Sequence, residues 1–553
     1  MQFGHLVLQL GTFVATAAAV GDGRRQDTLE ASAKGPIVDL GYAKYQGGRP
    51  GTGVDEFLGV RYAKPPIGNR RFRAPEDPSS ELEMQDATKY RPNCLGVAES
   101  TGTPEVPGPD FAEDCLFVNV FKPSNATARS KLPVWVWITG GGFANAAWVN
   151  FNETNLVKES DNGIVFVEFS YRVGALGFLA SEQVRKDGDL NVGLLDQRKL
   201  LHWVQSYIHK FGGDPSRVVI HGASAGATSV AYHLTAYEGR KDNELFAGVM
   251  VQDSFWPPQR TVGEMEPQYV QLLSRTNCTT LDCLRSVDIA KLQTASQSLP
   301  FPDGDKDQPA PPLFYWLPVI DGGLVPDRFY NLFEKGSFIR VPALIGDDTD
   351  EGTQYAPNAT SASDVAVFMK NNYPNLSPQQ LDEINELYPM MDPLPQNGAY
   401  FPTASAVYGD MCFICPGNEI ASALARYSNA SMVWNYRYNV RDPDLVAQGL
   451  GTHHDQEWFA VFGPEKFQDY EAKSDNTTNA AEVPIVRHYW ISFVRGLNPN
   501  THRVPQAPEW QPWGSGTGQR IRLETNKTAM EPLPREQLDK CSFWRRRSAS
   551  TEQ

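Results

Sequence analysis

The pentapeptide at residues 222–226 constrains this chain more than any other segment. It reads Gly-Ala-Ser-Ala-Gly, follows the apolar β-branched run 217–220, and precedes a helix-compatible stretch. A strand, a sharp turn and a helix around Gly-x-Ser-x-Gly are typical of a nucleophile elbow, in which the glycines let strand and helix approach closely. We therefore expect Ser224 to stand above a sheet in a strained conformation. The backbone N–H of Ala225 should point at charge that develops on a bound carbonyl group.

Near-continuous apolar runs predict buried strands elsewhere in the chain. Residues 134–138, 164–169 and 218–220 have this pattern, and residues 194–210, between the last two runs, carry apolar side chains at helical spacing. A helix between such strands indicates a parallel sheet with crossover helices. We therefore predict an α/β fold of the α/β-hydrolase type, with a central, mostly parallel twisted sheet flanked by helices.

The composition indicates one large globular domain. The chain has 553 residues, of which 41% are hydrophobic, and contains no internal repeat or long low-complexity linker. We expect a single catalytic domain over residues 35–545 and a flexible tail over residues 546–553. The net charge of −15 argues against nucleic acid as a partner. No later segment has the pattern of a membrane span, so we predict no stable membrane anchor.

The N-terminus has features of a secretory signal. Residues 6–20 are apolar and end in an alanine-rich stretch with Ala-x-Ala cleavage sites, so we expect a signal peptide over about residues 1–19. Sequons for N-glycosylation also support secretion into an extracellular environment. The eight asparagines in Asn-x-Ser/Thr sequons are Asn125, Asn152, Asn277, Asn358, Asn375, Asn429, Asn476 and Asn526.

The chain has seven cysteines, which should pair in an oxidising compartment and leave one unpaired. Cys412 and Cys415 have the spacing of a redox or metal-binding pair. No second pair of cysteine or histidine residues lies nearby to complete a metal site. Structural cysteines are the favoured interpretation, and we predict no metal and no other cofactor.

A serine nucleophile requires a base and a carboxylate that orients the base. In α/β-hydrolases the three follow in the order serine, acid, histidine, and this chain has that order. The acid lies in the segment 347–351 after a predicted strand, where spacing does not choose among four carboxylates: Asp347, Asp348, Asp350 and Glu351. The base lies in the pair His453-His454. We interpret this pair as part of a catalytic loop and not as metal ligands, because adjacent histidines point in different directions.

A glycine run after another predicted strand suits an oxyanion hole. Gly140, Gly141 and Gly142 follow the strand at 134–138. If this loop curls beside the elbow, the N–H groups of Gly141 and Gly142 join that of Ala225. Each such donor contributes about 3–4 kcal/mol of transition-state stabilisation. A plain glycine turn is the alternative.

Several further motifs carry a family resemblance. The chain has Phe-Leu-Gly-Val-Arg-Tyr-Ala-Lys-Pro-Pro at residues 57–66, Glu-Asp-Cys-Leu-Phe-Val-Asn-Val at 113–120 and Phe-Gly-Gly-Asp-Pro at 211–215. With these motifs in this order, the chain resembles the type-B carboxylesterase/lipase family of cholinesterase-like α/β-hydrolases, and looks most like its secreted fungal members. The resemblance extends from about Gly35 to Trp544.

The resemblance implies particular site residues. The acid of the family is the glutamate of an Asp-Glu-Gly-Thr motif, which is Glu351 here. The histidine of the family lies nine residues before the glycine of a Val-Phe-Gly motif, and counting back from Gly463 gives His454. The resemblance also implies three disulfide bonds and leaves Cys412 free. The implied pairs are Cys94–Cys115, Cys278–Cys283 and Cys415–Cys541.

The chain departs from the family pattern at three places near the site. Thr139 stands where a histidine commonly precedes the oxyanion glycines. Ala223 replaces the glutamate of the usual Gly-Glu-Ser-Ala-Gly. Gln252-Asp253-Ser254 stands in place of the usual Gln-Ser-Gly. None of these changes removes a member of the expected triad, but they bear on the tuning of the pocket.

The resemblance implies a secreted serine carboxylic ester hydrolase. Ser224, Glu351 and His454 would act through an acyl-enzyme on a small-molecule ester. A tailoring enzyme of secondary metabolism, which cleaves esters or lactones or transfers acyl groups, would use the same residues. A catalytically inactive binding or adhesion protein is disfavoured because the triad is intact. The sequence does not choose an acyl-chain length or an oligomeric state.

Overall fold

The computed structural model describes residues 35–99, 102–146, 149–241, 244–464, 473–514 and 518–553. Contacts divide the chain into two units, Met1–Gly35 and Pro36–Gln553, and the helices and strands of the described residues all lie in the second. The expected signal peptide, residues 1–19, lies outside the described residues.

Most of the strands form one large sheet. The strands are β1 (Ile37–Asp39), β2 (Lys44–Gly47), β3 (Val54–Arg61), β4 (Met84–Ala87), β5 (Asn93–Cys94), β6 (Phe111–Ala112), β7 (Phe117–Pro123), β8 (Leu132–Ile138), β9 (Val165–Phe169), β10 (Gly213–Ala223), β11 (Gly248–Gln252), β12 (Arg260–Thr261), β13 (Val319–Ile320), β14 (Ala343–Asp348), β15 (Val433–Tyr438), β16 (Gln519–Leu523) and β17 (Ala529–Pro532). The strand order of the large sheet is β17-β16-β15-β14-β11-β10-β8-β9-β7-β3, and the pairs from β16 to β9 are all parallel. Antiparallel pairs close both edges. The mostly parallel sheet matches the expectation from the apolar runs.

The central strands are buried on both faces, which explains their uninterrupted apolar sequence. Successive side chains of a strand point to opposite faces. In β8, Val136 belongs to one hydrophobic cluster and Trp135 and Trp137 to another. In the same way, β10 gives Ile220 to the first cluster and Val219 to the second. The sheet therefore separates two cores.

Helices cover both faces of this sheet. The predicted helix at residues 194–210 is observed as α4 (Val192–Tyr207), and its apolar side chains join the first cluster, whereas those of α16 (Val483–Gly496) join the second. The helices are α1 (Thr154–Glu159), α2 (Gly174–Phe178), α3 (Glu182–Asp187), α4 (Val192–Tyr207), α5 (Ala225–Thr235), α6 (Val262–Thr276), α7 (Leu281–Ser286), α8 (Ile289–Ala295), α9 (Phe329–Lys335), α10 (Ala362–Asn372), α11 (Pro378–Leu387), α12 (Phe401–Gly409), α13 (Cys415–Tyr427), α14 (Pro443–Gln448), α15 (Glu457–Phe462), α16 (Val483–Gly496) and α17 (Arg535–Thr551).

The C-terminal segment differs from the expectation of a flexible tail at residues 546–553. Helix α17 continues to Thr551, and the last three residues are buried. The side chain of Glu552 forms a buried ion pair with Arg260, with 2.9 Å between Oε2 and Nε. Nε2 of Gln553 donates to the carbonyl oxygen of Trp256 at 2.6 Å. These long-range polar contacts order a segment whose polar composition alone predicts exposure.

Among the described residues, no helix combines the length and the apolar character that a membrane span requires.

Candidate active site

Ser224 lies on a tight turn between β10 and α5. Its φ of 55° and ψ of −124° are unusual for a residue with a side chain, and the residue is only 4% exposed. A Cβ atom on Gly222 would lie 2.2 Å from the carbonyl carbon of Gly226, and one on Gly226 would lie 2.1 Å from the carbonyl oxygen of Ile138. Only glycine fits these positions, so the local sequence dictates the strained geometry of the serine.

His454 and Glu351 form a buried pair. Nδ1 of His454 lies 2.6 Å from Oε2 of Glu351, whose Oε1 accepts the backbone N–H of Asp348 at 2.8 Å. Nε2 of His454 is buried and forms no hydrogen bond with another described residue. The neighbouring His453 is turned differently, because its Nδ1 lies 2.8 Å from the carbonyl oxygen of His454. Of the acids and histidines that spacing left open, the structure therefore brings Glu351 and His454 together.

The end of β11 holds both the elbow and the histidine loop. The N–H of Ser224 donates to the carbonyl oxygen of Gln252 at 3.1 Å. The next residue, Asp253, accepts the N–H of Asp455 on Oδ2 at 3.1 Å. Ser224 and the residue after His454 are thus hydrogen-bonded to consecutive residues of one strand end. This strand end fixes the backbone of both segments.

The glycine loop packs against the elbow. A Cβ atom on Gly140 would lie 2.9 Å from the carbonyl oxygen of Ala223. Gly141 and Gly142 have φ of 101° and 60°. A Cβ atom on Gly142 would lie 2.3 Å from the ring of Phe314 and 3.0 Å from a carboxyl oxygen of Glu99. These glycines therefore occupy positions that a side chain cannot.

The first residue of α5 is Ala225, directly after Ser224. The first N–H groups of a helix have no acceptor within it, so this end of α5 suits an anionic oxygen. Thr139, which stands where the family commonly has a histidine, is fully buried, and its carbonyl oxygen accepts the hydroxyl of Tyr171 at 2.9 Å. This departure therefore places a buried threonine beside the glycine loop.

Burial changes the proton affinity of the histidine and of the acids around it. It lowers the pKa of His454, while the charge of Asp455 opposes the change. Burial raises the pKa of Glu351 well above its ordinary range, and the N–H of Asp348 opposes this. His221, next to the elbow, is also buried, which lowers its pKa to about 3. It hydrogen-bonds to Gln252, as expected for a structural histidine.

Aromatic rings surround the imidazole of His454. The ring centroid of Phe413 lies 4.5 Å from that of His454, and the ring of Tyr355 lies 5.4 Å away. Phe413 belongs to a π-helical turn, Asp410–Ile414, between α12 and α13. Sequence reasoning missed this residue. A π-helical turn has no simple sequence signature, although such turns are frequent at functional sites.

Two groups of described residues place three possible metal-ligand atoms within 4.8 Å of one another. One group is Asp253, His454 and Asp455, and the other is Asp253, Asp348 and Glu457. Asp253 belongs to both groups. One oxygen of each of two of these carboxyl groups accepts a hydrogen bond from a neighbour, since the N–H of Gln456 donates to Oδ2 of Asp348 and the hydroxyl of Tyr436 donates to Oε1 of Glu457.

The cysteines form three disulfide bonds. They are Cys94–Cys115, Cys278–Cys283 and Cys415–Cys541, the pairs that the resemblance implies. Cys412 is free and buried, and burial raises the pKa of its thiol to about 12. Burial therefore disfavours the thiolate, which is the reactive form of cysteine.

All eight sequon asparagines are exposed on the surface of the protein, as attachment of a glycan requires. They are Asn125, Asn152, Asn277, Asn358, Asn375, Asn429, Asn476 and Asn526.

Comparisons with known proteins agree with this architecture. Residues 34–544 match the profile of the carboxylesterase family. The chain is 32% identical to Secreted lipase 4 of Gibberella zeae, over 83% of this chain and 82% of that protein. It is 30% identical to Secreted lipase 1 of Botryotinia fuckeliana, over 91% and 92% of the two chains.

A solved structure supports the same assignment. The crystal structure of Aspergillus niger EstA superposes on this chain with a TM-score of 0.90, over 94% of this chain and 99% of that one. The two sequences are 53% identical. The predicted α/β-hydrolase fold is confirmed. The chain belongs to the carboxylesterase family and is a carboxylic ester hydrolase.

Proposed function

We propose that the protein is a secreted serine carboxylesterase that hydrolyses small-molecule esters through an acyl-enzyme. Ser224 is the nucleophile, His454 the general base and Glu351 the acid that orients it. The observation that carries the proposal is the buried hydrogen bond of 2.6 Å between His454 and Glu351. It uses Nδ1 and leaves Nε2, the nitrogen that a triad needs for the serine, without a hydrogen bond to another described residue.

The first half of the reaction acylates the enzyme. Oγ of Ser224 attacks the carbonyl carbon of the ester, and its proton moves to Nε2 of His454. The N–H groups of Gly141, Gly142 and Ala225 stabilise the oxyanion. The tetrahedral intermediate then expels the alcohol, which takes the proton from Nε2, and the acyl group stays on Ser224.

The second half releases the acid. Water attacks the acyl carbon and gives a proton to Nε2 of His454. Ser224 leaves as the alcohol once that proton is returned to its oxygen. Glu351 stabilises the imidazolium in both halves, because its carboxylate is held at Nδ1 and both residues are buried.

Secretion of the protein is supported by several features. The relatives in Gibberella zeae and Botryotinia fuckeliana are named as secreted lipases. Three disulfide bonds fit an oxidising compartment. Recovery of the protein from the culture medium with an N-terminus near residue 20 would test both secretion and the signal peptide.

The experiment that tests the activity is hydrolysis of p-nitrophenyl esters from acetate to palmitate. We expect turnover by the wild type and its loss in Ser224→Ala. Ser206→Ala, on the exposed face of α4, is the matched control and should keep wild-type turnover. An organophosphate should label the wild type at Ser224, as mass spectrometry of the peptide would show. A folded wild type that neither turns over nor becomes labelled would refute the proposal.

A further inference from the structure

Four carboxyl groups are packed together next to His454. They belong to Asp253, Asp348, Glu351 and Glu457, and each residue is at most 1% exposed. Asp253, Asp348 and Glu457 each place an oxygen within 4.8 Å of the other two. Four charges cannot coexist in such a site, because each is removed from water and repels the others. Some of these groups must therefore hold protons.

Asp348, Glu457 and Asp253 each have one buried oxygen to which no described residue donates, but Asp253 is the group whose side chain hydrogen-bonds to both glutamates of the cluster, which indicates that it holds a proton. Its Oδ2 accepts the backbone N–H of Asp455 at 3.1 Å. Its Oδ1 is buried, and no described residue donates a hydrogen bond to it. An ionised oxygen without a donor would be strongly destabilised there. A protonated oxygen has acceptors at hand, because Asp253 has an oxygen within 4.8 Å of carboxyl oxygens of Asp348 and Glu457. A hydrogen bond from Asp253 lowers the pKa of Glu457 and of Glu351.

The proposed mechanism requires Glu351 to be ionised, although burial raises its pKa. Both of its oxygens accept hydrogen bonds, from His454 and from the N–H of Asp348. The strongest electrostatic neighbours of Asp253 are all acidic: Glu457, Glu351, Asp348 and Asp455. Burial, and then these charges, raise the pKa of Asp253 well above its ordinary range. A hydrogen bond from Asp253 has the opposite effect on the pKa of Glu351, since it favours the anion.

We propose that Asp253 is a positioning residue that remains a neutral carboxylic acid, donates a hydrogen bond from Oδ1 to the carboxylate of Glu351, and holds the His454 loop through Oδ2. The proposal rests on the proposed function of Glu351 and His454. The family usually has serine at this position, and a serine offers a single hydroxyl. The carboxylic acid offers a donor and an acceptor on separate oxygens, so one side chain connects the acid to the backbone that carries the base.

Two substitutions distinguish a hydrogen-bonding role of Asp253 from a requirement for its negative charge. Asp253→Asn keeps one donor and one acceptor in the same shape, and we expect it to retain most of the wild-type kcat. Asp253→Ala removes both, and we expect kcat to fall about 10- to 100-fold, the effect of a hydrogen bond to a charged group. KM should change little, because Asp253 is fully buried and no part of its side chain reaches the surface of the site. Equal losses in the two variants would overturn the proposal, since they would mean that the ionised carboxylate, for instance as a cation ligand, is required.

Infrared spectroscopy detects the proton without reference to activity. The spectrum at neutral pH should contain the carbonyl band of a protonated carboxyl group that is lost in Asp253→Asn. Asp39→Asn is the control, because Asp39 is exposed and a backbone hydrogen bond from Gly41 lowers its pKa. The comparison is repeated in Ser224→Ala, so the result does not depend on turnover. If no band is lost, Asp253 is ionised and the proposal is wrong.

The pH dependence of unfolding gives a second independent measurement. A group whose pKa is raised by folding stabilises the folded state at low pH, and this stabilisation is lost as pH rises towards the raised pKa. Above the ordinary aspartate pKa of about 3.9, the unfolding constant of the wild type should therefore rise about tenfold per pH unit relative to Asp253→Asn. The unfolding constants are measured by urea denaturation at several pH values above about 3.9. If the ratio of the two constants is the same at every pH, the proposal is wrong.

Discussion

Nδ1 of His454 and Oε2 of Glu351 lie 2.6 Å apart, although 103 residues separate them in the chain. Glu351 follows β14 and His454 lies in the segment after β15, and these two strands are parallel neighbours in the sheet. The carboxyl ends of parallel strands lie at the same edge, so the sheet brings the two side chains together. Both are buried, and water therefore cannot replace either partner.

Replacing the acid of this pair should disable the base. We expect Glu351→Gln to lower kcat about 10³- to 10⁴-fold, because an amide neither stabilises the imidazolium nor holds the required tautomer. The measurement is steady-state hydrolysis of p-nitrophenyl butyrate. Asp382→Asn is the control, because Asp382 is exposed in α11, and it should change kcat little. A loss of less than tenfold in Glu351→Gln would show that another acid serves His454.

The activity should extend to acidic pH. Burial lowers the pKa of His454 below its ordinary value of about 6.5, and the base works only when neutral. The acid limb of kcat/KM should therefore have its midpoint below pH 6.5. The charge of Asp455, whose Oδ2 lies 3.7 Å from Nε2, raises this pKa. In Asp455→Asn the midpoint of the acid limb should move to still lower pH. A move to higher pH would contradict the assignment of this limb to His454.

The elbow should tolerate no side chain at its second glycine. A Cβ atom on Gly226 would lie 2.1 Å from the carbonyl oxygen of Ile138, so Gly226→Ala must displace α5 from β8. We expect loss of turnover and a lower melting temperature. Gly263→Ala is the control, because Gly263 lies in α6 with no atom near the added Cβ. That change should stabilise the protein by up to about 1 kcal/mol. Normal activity in Gly226→Ala would contradict this close packing of α5 on β8.

The C-terminal residues should contribute to stability. Glu552→Ala leaves the buried guanidinium of Arg260 without its ion-pair partner, a change that typically costs about 3–5 kcal/mol. The urea midpoint of unfolding measures the loss. Asp539→Ala removes an exposed pair with Arg535 in the same helix and should leave the midpoint nearly unchanged. Equal midpoints for the two variants would mean that the buried pair adds no net stability.

The exposed sequons should carry glycans in the secreted protein. All eight asparagines are exposed, so none is excluded by burial. Treatment with an endoglycosidase that removes N-linked glycans should reduce the mass, and peptide mapping would identify the occupied sites. The same protein made in bacteria is the control. An unchanged mass after treatment would contradict this expectation.

Some features of the site could be predicted from sequence because they are local. The strand–turn–helix at Ser224 follows from a β-branched run and two glycines, and the helix α4 follows from its apolar period. The family motifs singled out Glu351 and His454 from the neighbouring acids and histidines. Spacing alone did not make this choice.

Other features depend on contacts between distant segments. Phe413 lies in a π-helical turn with its ring 4.5 Å from that of His454, and the sequence around it has no distinctive pattern. The polar composition of residues 546–553 predicts exposure, yet Glu552 and Gln553 are buried by partners near residues 256–260, almost 300 positions away.

The sequence by itself determined the fold class, the order of the strands along the chain and the nucleophile elbow. The first two follow from local periodicity, and the elbow follows from two glycines at positions where no other residue fits. Only the tertiary structure decided which buried carboxyl groups share a site. Asp253 appeared in the sequence as a departure from a motif. Its protonation state follows from the acids that β14 and α15 bring to it, since a buried charge is set by its neighbours in space.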